Sequence, residues 1–390
     1  PIYRDDWLYD KVGWEIAEAW RTGKDYFLQN EVLGGIDRIN VGYYYTIGII
    51  YSIFGHITFI ARIVNCFFSG LTIIYVYLLA KTIFGSKIAR LSALLVLCFP
   101  DFSVISALQW KDTILTFLGV FAIWNITLVK NKLSFFRTIF CIPIFVYAFS
   151  LRKQTGIFLG ALASLYLLAN IRRFRFKQFI IGFLFVIVIG IFFAKVQDFG
   201  FFGKDYFNII GDRLVFFSER VESADASVSG GFFYKGLVKF LYGDLFTKMI
   251  FLPIGIIFIL IYPLPLPHLL SYCQEIYLFG AWTWYFFIPF FIYGFFNSLK
   301  NTRTYIILLF VIYIIASFLL SGFNASGLVR YRLQMMPFAL MLTALGMVNF
   351  RRWRSLYFKF MSLMFILFLL YIALKIAKGN VGGLVRNLFQ

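Results

Sequence analysis

Charge is scarce in this chain: only 14% of its 390 residues are Asp, Glu, Lys or Arg, and only 18 of those carry a carboxylate. A soluble domain of this size has about 25% charged residues, so a soluble globular protein is excluded. Metal-binding side chains are just as sparse. The two histidines, His56 and His268, stand far apart, and the four cysteines, Cys66, Cys98, Cys141 and Cys273, have no zinc-ligand spacing. Three of these cysteines lie inside apolar runs, which argues against a disulfide framework. No metal and no other cofactor is expected. Segments of about ten alternating residues, the mark of a membrane β-barrel, are also missing.

Long apolar runs are what the chain has instead. It is 61% hydrophobic with a mean hydropathy of +0.82. Runs of roughly 20 apolar residues recur, each long enough to cross the ~30 Å hydrocarbon core of a bilayer. The predicted fold is all-α, a polytopic transmembrane helical bundle. Spans are expected near 60–80, 88–107, 112–129, 136–151, 154–170 and 178–196, then 281–298, 304–321, 333–350 and 355–376. The net charge of +19 does not point to nucleic acid. Lys and Arg cluster in short links, at Lys81/Lys87/Arg90, Lys130/Lys132/Arg137, Arg172/Arg173/Arg175/Lys177, Lys300/Arg303 and Arg351/Arg352/Arg354. This is the positive-inside pattern of a multi-pass membrane protein. All 18 carboxylates fall elsewhere, within Asp5–Asp37, at Asp101 and Asp112, within Asp198–Asp244, or at Glu275. One membrane face is thus expected to be basic and the other to carry every carboxylate.

Four regions follow. Residues 1–55 form a first outer loop, with a helical pattern over Asp10–Arg21 (Val12, Ile16 and Ala19 on one side, Glu15 and Glu18 on another) and a short Tyr-rich interfacial helix over Val41–Phe54. Because the chain starts at Pro1, at least one hydrophobic segment is expected upstream. Residues 56–196 form a bundle of about six spans. Residues 197–280 form a second outer loop, in which Ser223–Gly231 reads as flexible and the Pro-interrupted Ile250–Pro267 as a re-entrant or interfacial helix. Residues 281–390 hold about four further spans.

The residues able to do chemistry sit on the carboxylate face. Arg330 and Arg332 open an apolar span on the side that the positive-inside rule disfavours. A guanidinium pair there suits a phosphate, bound in bidentate fashion; the alternative is snorkelling to lipid headgroups. Arg152 and Lys153, at a hairpin tip, allow the same two readings. Lys111 and Asp112 open another span, where Asp112 is either a helix cap or a substrate contact. Arg62 and Asn65, one turn apart at the start of a span, read as packing residues. Asp5 and Asp6 are the candidates for general-base work, although an Asp-Asp pair is usually only a solvated turn.

The order of these elements resembles the GT-C class of integral-membrane glycosyltransferases, in particular its family 39, protein mannosyltransferase-like branch. The likeness is carried by Asp5-Asp6 in the first loop and by the stretch Ile53–Leu115. That stretch holds Phe54-Gly55 before Arg62 and Asn65, a Phe84-Gly85 turn with Ala89-Arg90, a helix ending at Pro100, and Lys111-Asp112 opening the following helix. Further along, Arg330-Tyr331-Arg332 with Pro337 resembles a late helix start, and Leu252-Pro253, Pro263-Leu264-Pro265, Glu275 and Trp282 look like a pattern in relatives. The second acid is Asp where many members have Glu, and Gly42–Tyr45 stands where several members have a His-Pro-Pro stretch.

The resemblance implies inverting transfer of a sugar from a polyprenyl-phosphate donor to a glycan, lipid or protein acceptor. It places the reaction on the extracytoplasmic face of a bacterial cytoplasmic membrane, without metal. Asp5 or Asp6 would be the base, with Asp5 slightly favoured. Arg330, Arg332, Arg152 and Lys153 would hold the donor phosphate, with Tyr9, Lys111, Asp112 and Glu275 near the substrate. Two other readings stay open. An O-antigen-polymerase or ligase-type enzyme would place its chemistry in Gln197–Lys248, with Asp212, Arg213, Glu219 and Arg220. A lipid or sugar transporter or flippase would carry out no covalent step.

Overall fold

The computed structural model describes residues 4–23, 41–128, 135–152, 155–163, 278–301, 304–320 and 325–350, with a few positions between 354 and 366. The described residues are all-α. The elements are α1 (Arg4–Arg21), α2 (Gly42–Phe54), α3 (Thr58–Phe84), α4 (Ser86–Leu97), α5 (Pro100–Ser106), α6 (Lys111–Thr127) and α7 (Phe135–Leu151). A helical stretch over 155–163 is α8, followed by α9 (Leu278–Ser298), α10 (Tyr305–Leu320) and α11 (Ala325–Val348). The expected segments 178–196, 197–248 and 250–267 lie outside the described residues.

Most helices fall on the expected apolar runs, but their ends differ in instructive ways. The first helix starts at Arg4, not Asp10, so Asp5 and Asp6 sit in a first helical turn, where carboxylates suit the helix dipole. Its buried side is Tyr9, Val12, Ile16 and Ala17, with Ala19 only half-buried. That side fits closely against α2. A Cβ at Gly13 would run into Ile47, and one at Gly48 into Ile16, so the two helices cross where each has no side chain.

The run expected as one span over 88–107 is broken. A bend of 57° separates α4 from α5. Pro100 causes it: Phe99, the residue before it, is extended at φ −77° and ψ 116°, as the proline ring requires of its predecessor. Pro100 then opens α5, where its missing N–H costs no helix bond.

By length and composition, one described helix is able to cross a membrane, or two if the bent pair α4–α5 counts as one span. That helix is α3, whose 27 residues make about 40 Å of helix at 1.5 Å per residue. It presents Phe59, Ile63, Phe67 and Ile74 outward, a stripe of large apolar side chains that are exposed among the described residues. The centre of the molecule is α11, buried at every position over 332–345. Buried on every side over this stretch, it is a core helix, mostly apolar but carrying Arg332 and Gln334. Against it lies α9, which approaches closely enough that a Cβ at Gly294 would fall on the Leu342 carbonyl and one at Gly346 on the Phe290 carbonyl. Phe310 of α10 packs on Phe338 with ring centroids 4.6 Å apart and fills the space over Gly119 of α6.

A candidate active site at one end of the helices

Polar side chains are rare in this core, and most of them gather where α5 meets α6, α7 meets α8, and α3, α9 and α11 begin. Two buried ion pairs form the deeper part. Arg152, just past α7, donates from Nη2 to Asp112 Oδ1 at 2.9 Å. Gln334 of α11 donates to the same oxygen at 3.3 Å. Arg332 donates from Nη2 to Asp101 Oδ2. The Arg152 and Arg332 side chains are 10% and 1% exposed. Gly280 of α9 makes room for the second pair, since a Cβ there would coincide with the Asp101 carboxylate.

Asp112 therefore does not cap α6. The capping position is Trp110, without a side-chain cap bond, and the Asp112 carboxylate points into the bundle. Arg332 likewise does not open its helix. Because α11 starts at Ala325, Arg332 lies about two turns in, at a depth where a charge needs a counter-charge.

The shallower part is built around Asn65 of α3, which is fully buried. Its amide donates to the Tyr43 hydroxyl at 3.0 Å, the Leu108 carbonyl at 2.7 Å and the Trp110 carbonyl at 3.0 Å. One side chain thus ties α2 and α3 to the link that delivers Lys111 and Asp112. Tyr43 packs edge-on to Tyr9, with centroids 4.7 Å apart. Tyr9 stands one turn after Asp6 on α1. Asp6 is buried, and its Oδ2 lies 3.9 Å from Nη2 of Arg62. Asp6, Tyr9, Tyr43, Asn65 and Arg62 thus close a ring across three helices. Burial holds the Tyr43 hydroxyl well above its usual range, with the Asn65 bond opposing and the charge of Asp6 adding to it.

A second carboxylate, Asp10, follows one turn after Asp6. Tyr51 donates its hydroxyl to Asp10 Oδ1, His56 Nε2 lies 3.1 Å from Oδ2, and Gln109 Nε2 donates to the Tyr51 hydroxyl at 3.3 Å. Burial and then the bond to Asp10 raise the Tyr51 hydroxyl, against the Gln109 bond and the charge of Arg62. The His56 ring stacks on Trp14 with centroids 4.8 Å apart. Arg21 donates to the carbonyls of Tyr51 at 2.7 Å and Ser52 at 3.1 Å. These contacts clamp α1 onto the end of α2.

Of the residues picked out in the sequence, the structure gathers Asp6, Tyr9, Lys111, Asp112, Arg152 and Arg332 at this end. Asp5 and Arg330 lie on helices whose side chains at those positions fall outside the described residues, as do Lys153 and Glu275 altogether. Asp101, Gln334, Gln109, Asp10, Tyr51 and His56 were not singled out. One signal for Asp101 was available: it shares a face with Asp112, and the arginines on that face need carboxylate partners. Among the described residues no group of three or more His, Cys, Asp or Glu is placed to hold a metal ion.

No curated protein matches the chain. A family model described as dolichyl-phosphate-mannose-protein mannosyltransferase matches residues 41–196. That segment contains α2 to α8, with Tyr43, Arg62, Asn65, Asp101, Asp112 and Arg152. Over this part, the chain is similar to a family of sugar-transferring enzymes.

Proposed function

We propose that the protein is a multi-pass membrane glycosyltransferase of GT-C type. It moves a sugar from a polyprenyl-phosphate donor to a glycan, lipid or protein acceptor, on the extracytoplasmic side of a bacterial cytoplasmic membrane. The observation that carries this reading is the match over residues 41–196 to a dolichyl-phosphate-mannose-protein mannosyltransferase family, named for a sugar carried on a lipid phosphate. The gathering of Asp6, Asp112, Arg152 and Arg332 at one end of apolar helices supports it.

In the proposed reaction the acceptor hydroxyl attacks the anomeric carbon. Its proton passes to an aspartate carboxylate, Asp6 or its neighbour Asp5, acting as general base. The bond from the anomeric carbon to the phosphate oxygen breaks, and its electron pair leaves with the lipid phosphate. The product is inverted at that carbon. Asp6 is buried beside Tyr9 and Tyr43, which sets it apart from the solvated turn that an Asp-Asp pair usually forms.

Arg152 and Arg332, with Arg330 and Lys153, are the proposed cations of the donor side. The first two are already held by carboxylates, which fixes their planes. A phosphate must use the remaining N–H donors of those guanidiniums or displace Asp112 or Asp101. Tyr9, Lys111 and Glu275 are proposed to line the substrate. The loop 197–280 and the last spans complete the bundle in this reading.

The experiment is turnover of a polyprenyl-phosphate sugar by the purified full chain in proteoliposomes. Release of lipid phosphate with an anomerically inverted product supports the proposal. Movement of intact donor across the bilayer without a covalent product contradicts it and favours a flippase. Chain elongation of a lipid-linked oligosaccharide, with no use of a monosaccharide donor, contradicts it in favour of the polymerase reading.

A further inference from the structure

The first helix has two sides of different character. Tyr9, Val12, Ile16 and Ala17 are buried, and Gly13 lets this side close on α2. The apolar surface of α1 is thereby used up inside the protein. The opposite side carries Lys11, Glu15 and Glu18, charges of both signs. Trp7, one turn before Lys11, belongs to that charged side and is 60% exposed. A helix lying in a membrane interface puts its tryptophan on the apolar side, with lysines and arginines on the other. Here the indole stands among carboxylates, which an anionic headgroup surface repels. Lys11 Nζ lies over the ring at 5.4 Å. That contact occupies one face and does not account for so large an exposed area.

Trp7 and Asp6 each lie one turn before Asp10, so the three side chains are neighbours along one strip of α1. Asp10 and its partner His56 reach solvent, with side chains 22% and 41% exposed. Asp10 accepts from Tyr51 on Oδ1, and His56 Nε2 lies 3.1 Å from Oδ2. An ionised carboxylate only accepts, so Nε2 carries the hydrogen and Nδ1 is the ring atom left for a ligand. Trp14 stacks on the imidazole, and Arg21 lies over Trp14 at 5.5 Å, which fixes the plane of the imidazole. Asp10 keeps further lone-pair capacity on both oxygens.

An open aromatic ring beside planar, held hydrogen-bonding groups suits a saccharide. The C–H face of a sugar ring is slightly positive and lies on the electron-rich face of an indole. Its hydroxyls both donate and accept, which matches Asp10 and Nδ1 of His56. A lipid tail has no hydroxyls for these two residues, and a peptide backbone has no C–H face of that kind for Trp7. We propose that Trp7, Asp10 and His56 form an acceptor subsite for a glycan. The sugar stacks on Trp7 and bonds through its hydroxyls to Asp10 and His56, with the attacking hydroxyl presented toward Asp6. This rests on the transferase reading above and narrows its acceptor from glycan, lipid or protein to glycan. It also gives a task to Asp10 and His56, which the proposed reaction does not use.

The test is binding of the full chain, in phosphatidylcholine nanodiscs, to an array of bacterial cell-surface oligosaccharides. The unaltered protein should bind at least one of them. Trp7→Ala should lower that affinity about tenfold with no shift in unfolding temperature, since the side chain is exposed. Trp7→Phe should keep part of the affinity, and His56→Gln should weaken binding as well. Binding to no oligosaccharide overturns the proposal, and so does equal binding by Trp7→Ala. A second measurement uses discs of brominated phosphatidylcholine. If these quench the share of the emission that Trp7→Phe removes, Trp7 is a lipid anchor and the proposal is overturned. No donor takes part in these assays, so they fail independently of the transferase reading. Release of lipid phosphate by a chain that binds no glycan overturns the subsite alone. Glycan binding by a chain that never turns over a polyprenyl-phosphate sugar overturns the transferase reading, and with it the role of acceptor.

Discussion

The molecule contains arginine–carboxylate pairs at two depths, and they do different work. Asp101–Arg332 and Asp112–Arg152 are buried and in direct contact, between helices far apart in sequence. Asp6–Arg62 is longer and open on the arginine side. A buried pair is weak evidence of net stability, but removing one partner strands a charge in the core. An open pair costs little to lose. The deep pairs hold α5, α6, α7 and α11 in register, and the shallow one joins α1 to α3.

The contrast can be broken from its deeper side first. Replacing Arg332 with Met should leave the Asp101 carboxylate buried and alone, at a cost of about 3–5 kcal/mol, seen as a large drop in thermal unfolding temperature in detergent. Replacing both partners, Arg332→Met with Asp101→Leu, should recover most of that loss. A single replacement costing under about 1 kcal/mol would show that the pair is solvated and that its depth has been misjudged.

A middle-sized effect is expected at Asn65. Changing it to Leu removes the donor to Tyr43, Leu108 and Trp110 and strands buried acceptors, at roughly 1–3 kcal/mol in the same unfolding measurement. Sugar transfer should fall further than stability alone explains, because the link carrying Lys111 and Asp112 is released from α3. Equal transfer per folded molecule would reduce Asn65 to a packing residue.

The smallest stability change belongs to Arg62→Gln, within about 1 kcal/mol, because its pair with Asp6 is long and open on the arginine side. A large loss of stability at this position would erase the distinction between the two depths.

The helices were legible in the sequence because apolar runs and basic links are one-dimensional signals. Thr58–Phe84 and Lys111–Thr127 lie almost where hydropathy puts them. Hydropathy ran one span over 88–107 through Phe99-Pro100, whereas the family likeness put a helix end at Pro100, where the proline itself announces the bend. The start of α11 was placed too late because Ala325-Ser-Gly is not apolar enough to extend a run. Pairing was the least legible feature. Nothing local in the chain says that Asp101 meets Arg332 across 231 positions, or that Gly280 is small because a carboxylate needs its place. Those facts arise only when the helix ends are brought together.

The central claim, that a first-helix aspartate is the base for sugar transfer, is tested most directly by one assay. Asp5→Asn and Asp6→Asn are made separately in the full chain, and transfer from a polyprenyl-phosphate sugar is measured in proteoliposomes beside donor binding. One of the two variants should lose about 10²–10⁴-fold in turnover while still folding and binding the donor, with Asp6 favoured by its burial beside Tyr43. Undiminished transfer in both variants would contradict the account.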